Sequence, residues 1–215
     1  MIESSDMERS RLADVSIIEP VSDAAGEQLI DVADQVIIAG LDHRRLQPPE
    51  RSDLHADLRQ TLGAFVTLTV RGELNGCIGS IEGEEPLGES VARHAWSAAF
   101  TDPRLPPLRW ADYAHLEIEV SVLAPLTGIA ADSRQDLLGA LRPGRDGLLI
   151  SSGTSRAVFL PSVWEQLPAA ELFVERLFVK AGLASTPWPD DLRASRFTAQ
   201  KINRRDKRLG MSRGS

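Results

Sequence analysis

Ala25, Leu29, Val32, Val36 and Ala39 recur at helical spacing and form one apolar stripe. Ser22 can cap the N-terminus of that helix, and Asp23 falls in its first turn, where a carboxylate meets the positive end of the dipole. Gly40 is placed to end it. The proline- and charge-rich stretch that follows, "LDHRRLQPPERSD", reads as a linker or surface loop. The period then changes. In "GAFVTLTV", Ala64, Val66, Leu68 and Val70 point one way and Phe65, Thr67 and Thr69 the other. "RGE" is a turn signal, so "LNGCIGSI" is expected to return as the second strand of a hairpin. Its Leu74, Gly76, Ile78 and Ser80 would face the core; Asn75, Cys77, Gly79 and Ile81 would face away.

A second helix is expected over 89–100, with Val91, Ala95 and Ala98 as its stripe and Trp96 and Ala99 widening it. The prolines of "TDPRLPPL" forbid its continuation. "HLEIEVSVLAP" is a clear strand, with Leu116, Ile118, Val120 and Val122 inward and Glu117, Glu119 and Ser121 outward. Asp132 or Ser133 caps a short helix through Leu141, and "LLISSGTSRAVFLP" reads as a hairpin. Pro168 opens a helix running to Lys180 that Gly182 closes, with Phe173, Leu177 and Ala181 on its buried side. Residues 196–202 read as one last strand. Strand pairs joined by tight turns, interspersed with helices, predict an α+β architecture with mostly antiparallel pairing. Residues 1–20 are expected to be loose and 203–215 to form a basic, solvated tail.

The 215 residues are long enough to bury a core as one domain or two close-packed subdomains. A formal charge of −7 disfavours nucleic acid as a partner. A single cysteine cannot close an intramolecular disulfide and fits a reducing compartment. The N-terminus lacks the pattern of a signal peptide, and the apolar runs are too short to cross a bilayer. The expectation is a soluble, cytoplasmic protein without a membrane partner. His43, His55, His94 and His115 make no local zinc spacing, and no G-x-G-x-x-G, Walker A or G-x-S-x-G motif is present. No metal or cofactor is therefore expected. Glu117 and Glu119 could be paired carboxylates, but a polar strand face explains them more simply.

Cys77 is the one thiol, set between Gly76 and Gly79. Glycines in a strand weaken it and mark a bulge or the close approach of a backbone or ligand. Two readings stand: a small buried hydrophobe, or a reactive thiol activated by a nearby cation or base. His94, Arg93 and Arg104 are candidates for that partner. Asp102 and Arg104 sit on a proline-stiffened loop able to position charges, or one that simply stops a helix.

In order and spacing, "GAFVTLTVRGELNGCIGSI", "ARHAWSAAFTDPRLPPL", "HLEIEVSVLAPL", "GRDGLLI", "VFLPSVWEQ" and "LFVKAGL" resemble the AMMECR family, also called AmmeMemoRadiSam system protein A, over about residues 22–200. The family's L-R-G-C-I-G stands here as residues 74–79 with Asn75 in the arginine position; its Asp-x-Arg-Phe stretch has Leu105 for phenylalanine. Its Gly-Lys-Asp-Gly appears as Gly144, Arg145, Asp146 and Gly147, and its Lys-Ala-Gly-Leu as residues 180–183. The resemblance implies larger and smaller subdomains within residues 21–202, the hallmark motif near a cleft between them, and a shared pathway with a radical SAM enzyme and a Memo-like protein related to extradiol dioxygenases. Asn75 removes a fixed cation and can only hydrogen-bond. One expectation is an accessory or ligand-binding component, with Asn75, Gly76, Gly79 and Arg104 at its site. The alternative is an enzyme using Cys77 as a cleft nucleophile on a small polar or anionic substrate, with His94 or Asp102 moving the proton.

Overall fold

The structure is a computed structural model and describes residues 20–43, 45–184 and 186–203. Residues 1–19 and 204–215, which hold almost all of the expected loose start and basic tail, lie outside the described residues.

Helix α1 (Asp23–His43) buries the expected Ala25, Leu29, Val32 and Val36. It does not stop at Gly40. A Cβ there would lie 2.2 Å from the Phe100 ring, so this glycine makes room for an aromatic side chain rather than capping the helix. Two short 3-10 turns, Arg51–Asp53 and Ala56–Arg59, follow within and beyond the expected loop. Strands β1 (Ala64–Val70), β2 (Glu73–Ser80) and β3 (Leu116–Leu123) form an antiparallel sheet with β8 (Ala199–Asn203), in the order β2-β1-β3-β8. Ala64, Val66, Leu68, Ile118, Val120 and Val122 face inward, against α1 and α2 (Leu87–Phe100), and make the first core.

The β1–β2 hairpin departs from simple alternation. Its register shifts between Leu68 and Thr69, where Leu68 pairs with Gly76 but Thr69 with Leu74, leaving Asn75 as the extra residue of a bulge. Gly76 and Ile78 keep the expected core face, while Leu74 is thrown off it and stands 51% exposed.

A second antiparallel sheet, in the order β4-β7-β5-β6, joins β4 (Thr127–Ile129), β5 (Gly147–Ser152), β6 (Ser155–Phe159) and β7 (Arg193–Phe197). A short helix, α3 (Trp110–Tyr113), precedes β3. With α4 (Arg134–Ala140), α5 (Ala170–Ala181) and Trp164, this sheet builds a separate core. Ser133 caps α4 by accepting from the Asp136 amide, and Gly182, in the left-handed region at φ 69°, closes α5 as expected.

The expected single strand over 196–202 is two. β7 belongs to the second sheet and β8 to the first, with Thr198 at the crossing. β3 likewise leads into β4, and the Ala124 amide donates to the Thr198 carbonyl at 2.9 Å. An antiparallel ribbon thus runs from one sheet into the other, with a core on each. The result is an α+β fold with a larger and a smaller lobe.

Candidate functional site

Cys77 lies on β2, an edge strand, and its cross-strand partner is Thr67. The glycines beside it have packing reasons. A Cβ on Gly76 would fall 2.0 Å from the Ala98 carbonyl oxygen of α2, so helix and strand touch backbone to backbone. A Cβ on Gly79 would fall 2.4 Å from the Phe65 ring, its cross-strand partner, which covers the bare strand. Cys77 itself is free and half-buried, and the Thr67 hydroxyl donates to its Sγ at 3.5 Å.

The outer edge of β2 leaves backbone groups unpaired, a state proteins usually cover. Asp102 and Arg104 do this at Cys77. Asp102 Oδ2 accepts from the Cys77 amide at 3.1 Å, and Arg104 Nη2 donates to the Cys77 carbonyl at 2.7 Å. The two side chains are also locked together: Arg104 donates from Nε to Oδ1 at 2.9 Å and from Nη2 to Oδ2 at 2.7 Å, and its own amide reaches Oδ1 at 3.1 Å. The loop is pinned behind them, because the Leu108 amide donates to the Ala99 carbonyl at 2.7 Å. The side chains of this proline-rich stretch thus cover the strand edge at Cys77. The Arg104 hydrogen bonds, then the Cys77 amide, hold the Asp102 carboxyl far below the usual carboxylate range, and Asp102 raises Arg104 in turn. The Asp102 side chain is 1% exposed and ionised; that of Arg104 is 60% exposed. A carboxylate so placed is a poor proton acceptor at neutral pH.

Asn75 stands at the bulge. Its amide nitrogen donates to the Pro106 carbonyl at 3.4 Å, while its Oδ1 is buried without a hydrogen-bond partner. The site residues expected from the sequence thus split. Asn75, Gly76, Cys77, Gly79, Asp102 and Arg104 come together along one strand edge. His94 does not join them: α2 lies against the face carrying Gly76 and Ile78, whereas the Cys77 side chain leaves from the other face. Arg93 is held by an ion pair with Glu85.

Burial, aided by the charge of Arg93, pushes the His94 imidazole down to about 4 from its ordinary 6.5. Between these values the unfolded chain binds a proton that the folded one does not. The stability tied to this neutral histidine is whole above about 6.5 and is lost as pH falls toward 4. His94→Gln, which cannot protonate, is expected to show a smaller fall in urea-melt stability between pH 7 and pH 5 than the parent. An identical fall in both proteins would assign the loss to other groups.

Register reveals neighbours that the sequence reading missed. Thr67 pairs with Cys77 on one side and Glu119 on the other, and Glu119 pairs with Asn203. Thiol, hydroxyl, carboxylate and amide therefore make one row across the outward face, with strands about 4.8 Å apart. Alternation puts Thr67, Cys77 and Glu119 on outward faces and leaves Asn203 in the tail; only pairing aligns them. The next row, toward the second lobe, holds Gly79, Phe65, Ser121 and Lys201. Ser121 and Lys201 also line a cleft of about 470 Å³ with residues of the second lobe. Cys77, Asn75, His94, Asp102 and Arg104 are not among its lining residues, so the thiol stands outside this cleft. Among the described residues no group of three or more His, Cys, Asp or Glu side chains converges as a metal-ligand set, and no helix is long and apolar enough to cross a membrane.

Comparison with known proteins gives this geometry a family. Residues 30–202 match the AMMECR1 family model. A relative from Methanothermobacter thermautotrophicus is 36% identical over 188 residues, covering 84% of this chain and 95% of the relative. Protein TK0174 of Thermococcus kodakarensis is 34% identical over 192 residues, covering 84% and 90%. The crystal structure of the uncharacterized protein PH0010 from Pyrococcus horikoshii superposes with a TM-score of 0.75 at 31% identity, covering 85% of this chain and 92% of that one. The chain belongs to the AMMECR1 family.

Proposed function

We propose that this protein is a cytoplasmic accessory, ligand-binding component that works with a radical SAM enzyme and a Memo-like, dioxygenase-related protein, and that Cys77 is not its nucleophile. The observation that carries the second half is the commitment of Asp102 and Arg104 to the Cys77 main chain. The ionised carboxylate is not free to take a proton, and the Cys77 side chain leaves the sheet from the face opposite the one that α2, the helix of His94, packs against. A thiol enzyme needs a base or cation serving the sulfur itself. The partners follow from the family resemblance. The polar row from Cys77 to Asn203, next to the row that holds Ser121 and Lys201 of the cleft, supports a ligand-binding role.

One observation favours the competing thiol-enzyme reading: Thr67 donates to the sulfur, and the Cys77 sulfur adds, after Asp102, to the raised pKa of Arg104. Affinity purification of the tagged protein from its own host separates the two. Wild type and Cys77→Ser are expected to capture the radical SAM and Memo-like proteins equally, and Cys77 to be unmodified by peptide mass spectrometry. Capture of neither partner above a tag-only control sinks the accessory reading. A covalent adduct at Cys77 restores the enzyme.

A further inference from the structure

We propose that the cleft between the two lobes binds a small organic anion, a carboxylate or phosphate ester on a compact apolar body. The inference rests on the ligand-binding half of the reading above and gives it a site and a chemical class. At about 470 Å³ the cleft has the size of small-molecule sites, which span roughly 300–1,000 Å³. Its charge runs against that of the chain. The protein carries −7 overall, yet the charged side chains lining the cleft are Arg145, Lys201 and a single acid, Glu165.

The two cations come from opposite walls. Lys201 on β8 is the cross-strand partner of Ser121 on β3, and both line the cleft, so an ammonium and a hydroxyl stand side by side on the larger lobe. Ser121 is 7% exposed, an unusual place for a hydroxyl on the outward face of a sheet unless something polar faces it. Lys201 lies 3.6 Å from Glu165, with the side chains 43% and 76% exposed. A pair that long and that wet holds the ammonium weakly, leaving it able to turn toward a ligand.

Arg145 approaches from the smaller lobe on a rigid turn. Gly144 before it takes φ 77°, and the Arg145 amide donates to the Arg142 carbonyl at 3.1 Å. Behind it, Arg142 clamps the fully buried Asp146 at 2.6 Å. The Arg145 guanidinium is itself exposed and is in no ion pair with a described residue. The remaining lining is mostly apolar, with Ser162 and Thr198 its polar members, and its aromatic side is fixed. Trp164 stacks on Phe173 at 3.8 Å between ring centroids and donates its indole N–H to the Asp146 carbonyl at 2.6 Å, with Leu160 and Pro161 beside it. An anionic head between Arg145, Lys201 and Ser121, with its body against this wall, would meet both cations and the hydroxyl, while Glu165 would give up Lys201 to it. Because the cations belong to different lobes, such a ligand would also tie the lobes together.

Phenyl phosphate, with benzyl alcohol as a neutral counterpart, tests this in a backbone-amide NMR titration of the full chain. Saturable shifts centred on Ser121, Arg145 and Lys201 are expected with phenyl phosphate, and far weaker ones with the alcohol. Arg145→Ala and Lys201→Ala should each weaken binding about tenfold, the usual scale for losing one charge-assisted hydrogen bond, while Arg176→Ala on the exposed side of α5 should not. The spectra themselves report whether each variant is folded, and Arg145→Gln serves if the alanine form is not. Shifts that fail to saturate, lie elsewhere, or persist unchanged in both cleft variants overturn the site. Loss of the anion here leaves partner capture untouched, and failed capture leaves this titration standing, so the two proposals fail separately.

Discussion

Gly76→Ala is expected to lower stability by about 3 kcal/mol, the upper part of the range for forced overpacking, and by more if α2 cannot shift. The new methyl carbon would sit 2.0 Å from the Ala98 carbonyl oxygen, 2.7 Å from its carbon and 3.1 Å from its Cα. All three are backbone atoms inside a helix, so no side chain can swing aside. Relief requires α2 to lift from β2, which loosens the packing of Val91, Ala95 and Ala98, each buried in the first core. Removing a glycine from a strand ordinarily stabilises by about 0.5–1 kcal/mol, and that gain is far too small to offset the clash. For a chain of this size the melting temperature should fall by roughly 6–12 °C. Gly128→Ala is the matched control, with nothing within 4 Å of its added carbon, and is expected to be neutral or slightly stabilising. If Gly76→Ala melts like the parent, the glycine is bare for some reason other than helix contact.

Asp102→Ala is expected to be the second large effect, and to open the edge of β2. It removes the acceptor of the Cys77 amide and three hydrogen bonds of Arg104, and it leaves the Arg104 guanidinium with only the Cys77 carbonyl. An unpaired, unguarded strand edge invites pairing with another chain. The variant should melt lower and form oligomers by light scattering. Its deficit should depend on pH in a defined direction. The folded carboxyl titrates far below its ordinary value, so its contribution is complete above the unfolded pKa of about 4 and drains away as pH falls below that. The gap between parent and variant should be wide at pH 7 and narrow in acid. A gap that widens toward low pH contradicts this role of the Asp102 carboxylate.

How much of the fold is legible in the sequence depends on the kind of contact involved. Period alone was enough for α1, β1, β3 and α5, where one face meets a core and repeats often enough to be read. It failed where geometry overrides period. The bulge at Asn75 cannot be seen in "LNGCIG", yet it throws Leu74 off the core face. Residues 196–202 look like one strand because the break at Thr198 changes the sheet and not the hydrophobicity. Gly40 and Gly182 look alike as helix stops, but one makes room for Phe100 and the other takes a left-handed φ. Asp102 and Arg104 were visible as charges on a stiff loop. That they serve the main chain of Cys77 was not, because which strand lies at the edge is decided by pairing. The row of Thr67, Glu119 and Asn203 and the meeting of Ser121 with Lys201 were hidden for the same reason: register is a tertiary fact.

Hydrogen exchange at the Cys77 amide bears most directly on the claim that the loop at 102–108 completes the edge of β2. With Asp102 accepting from it, this amide should be as slow to exchange as that of an interior strand residue. In Asp102→Ala it alone should become fast while Val66 and Ile118 remain slow. A Cys77 amide that exchanges freely in the unaltered protein would mean that the edge is open, and Asp102 and Arg104 would again be available for chemistry at the sulfur.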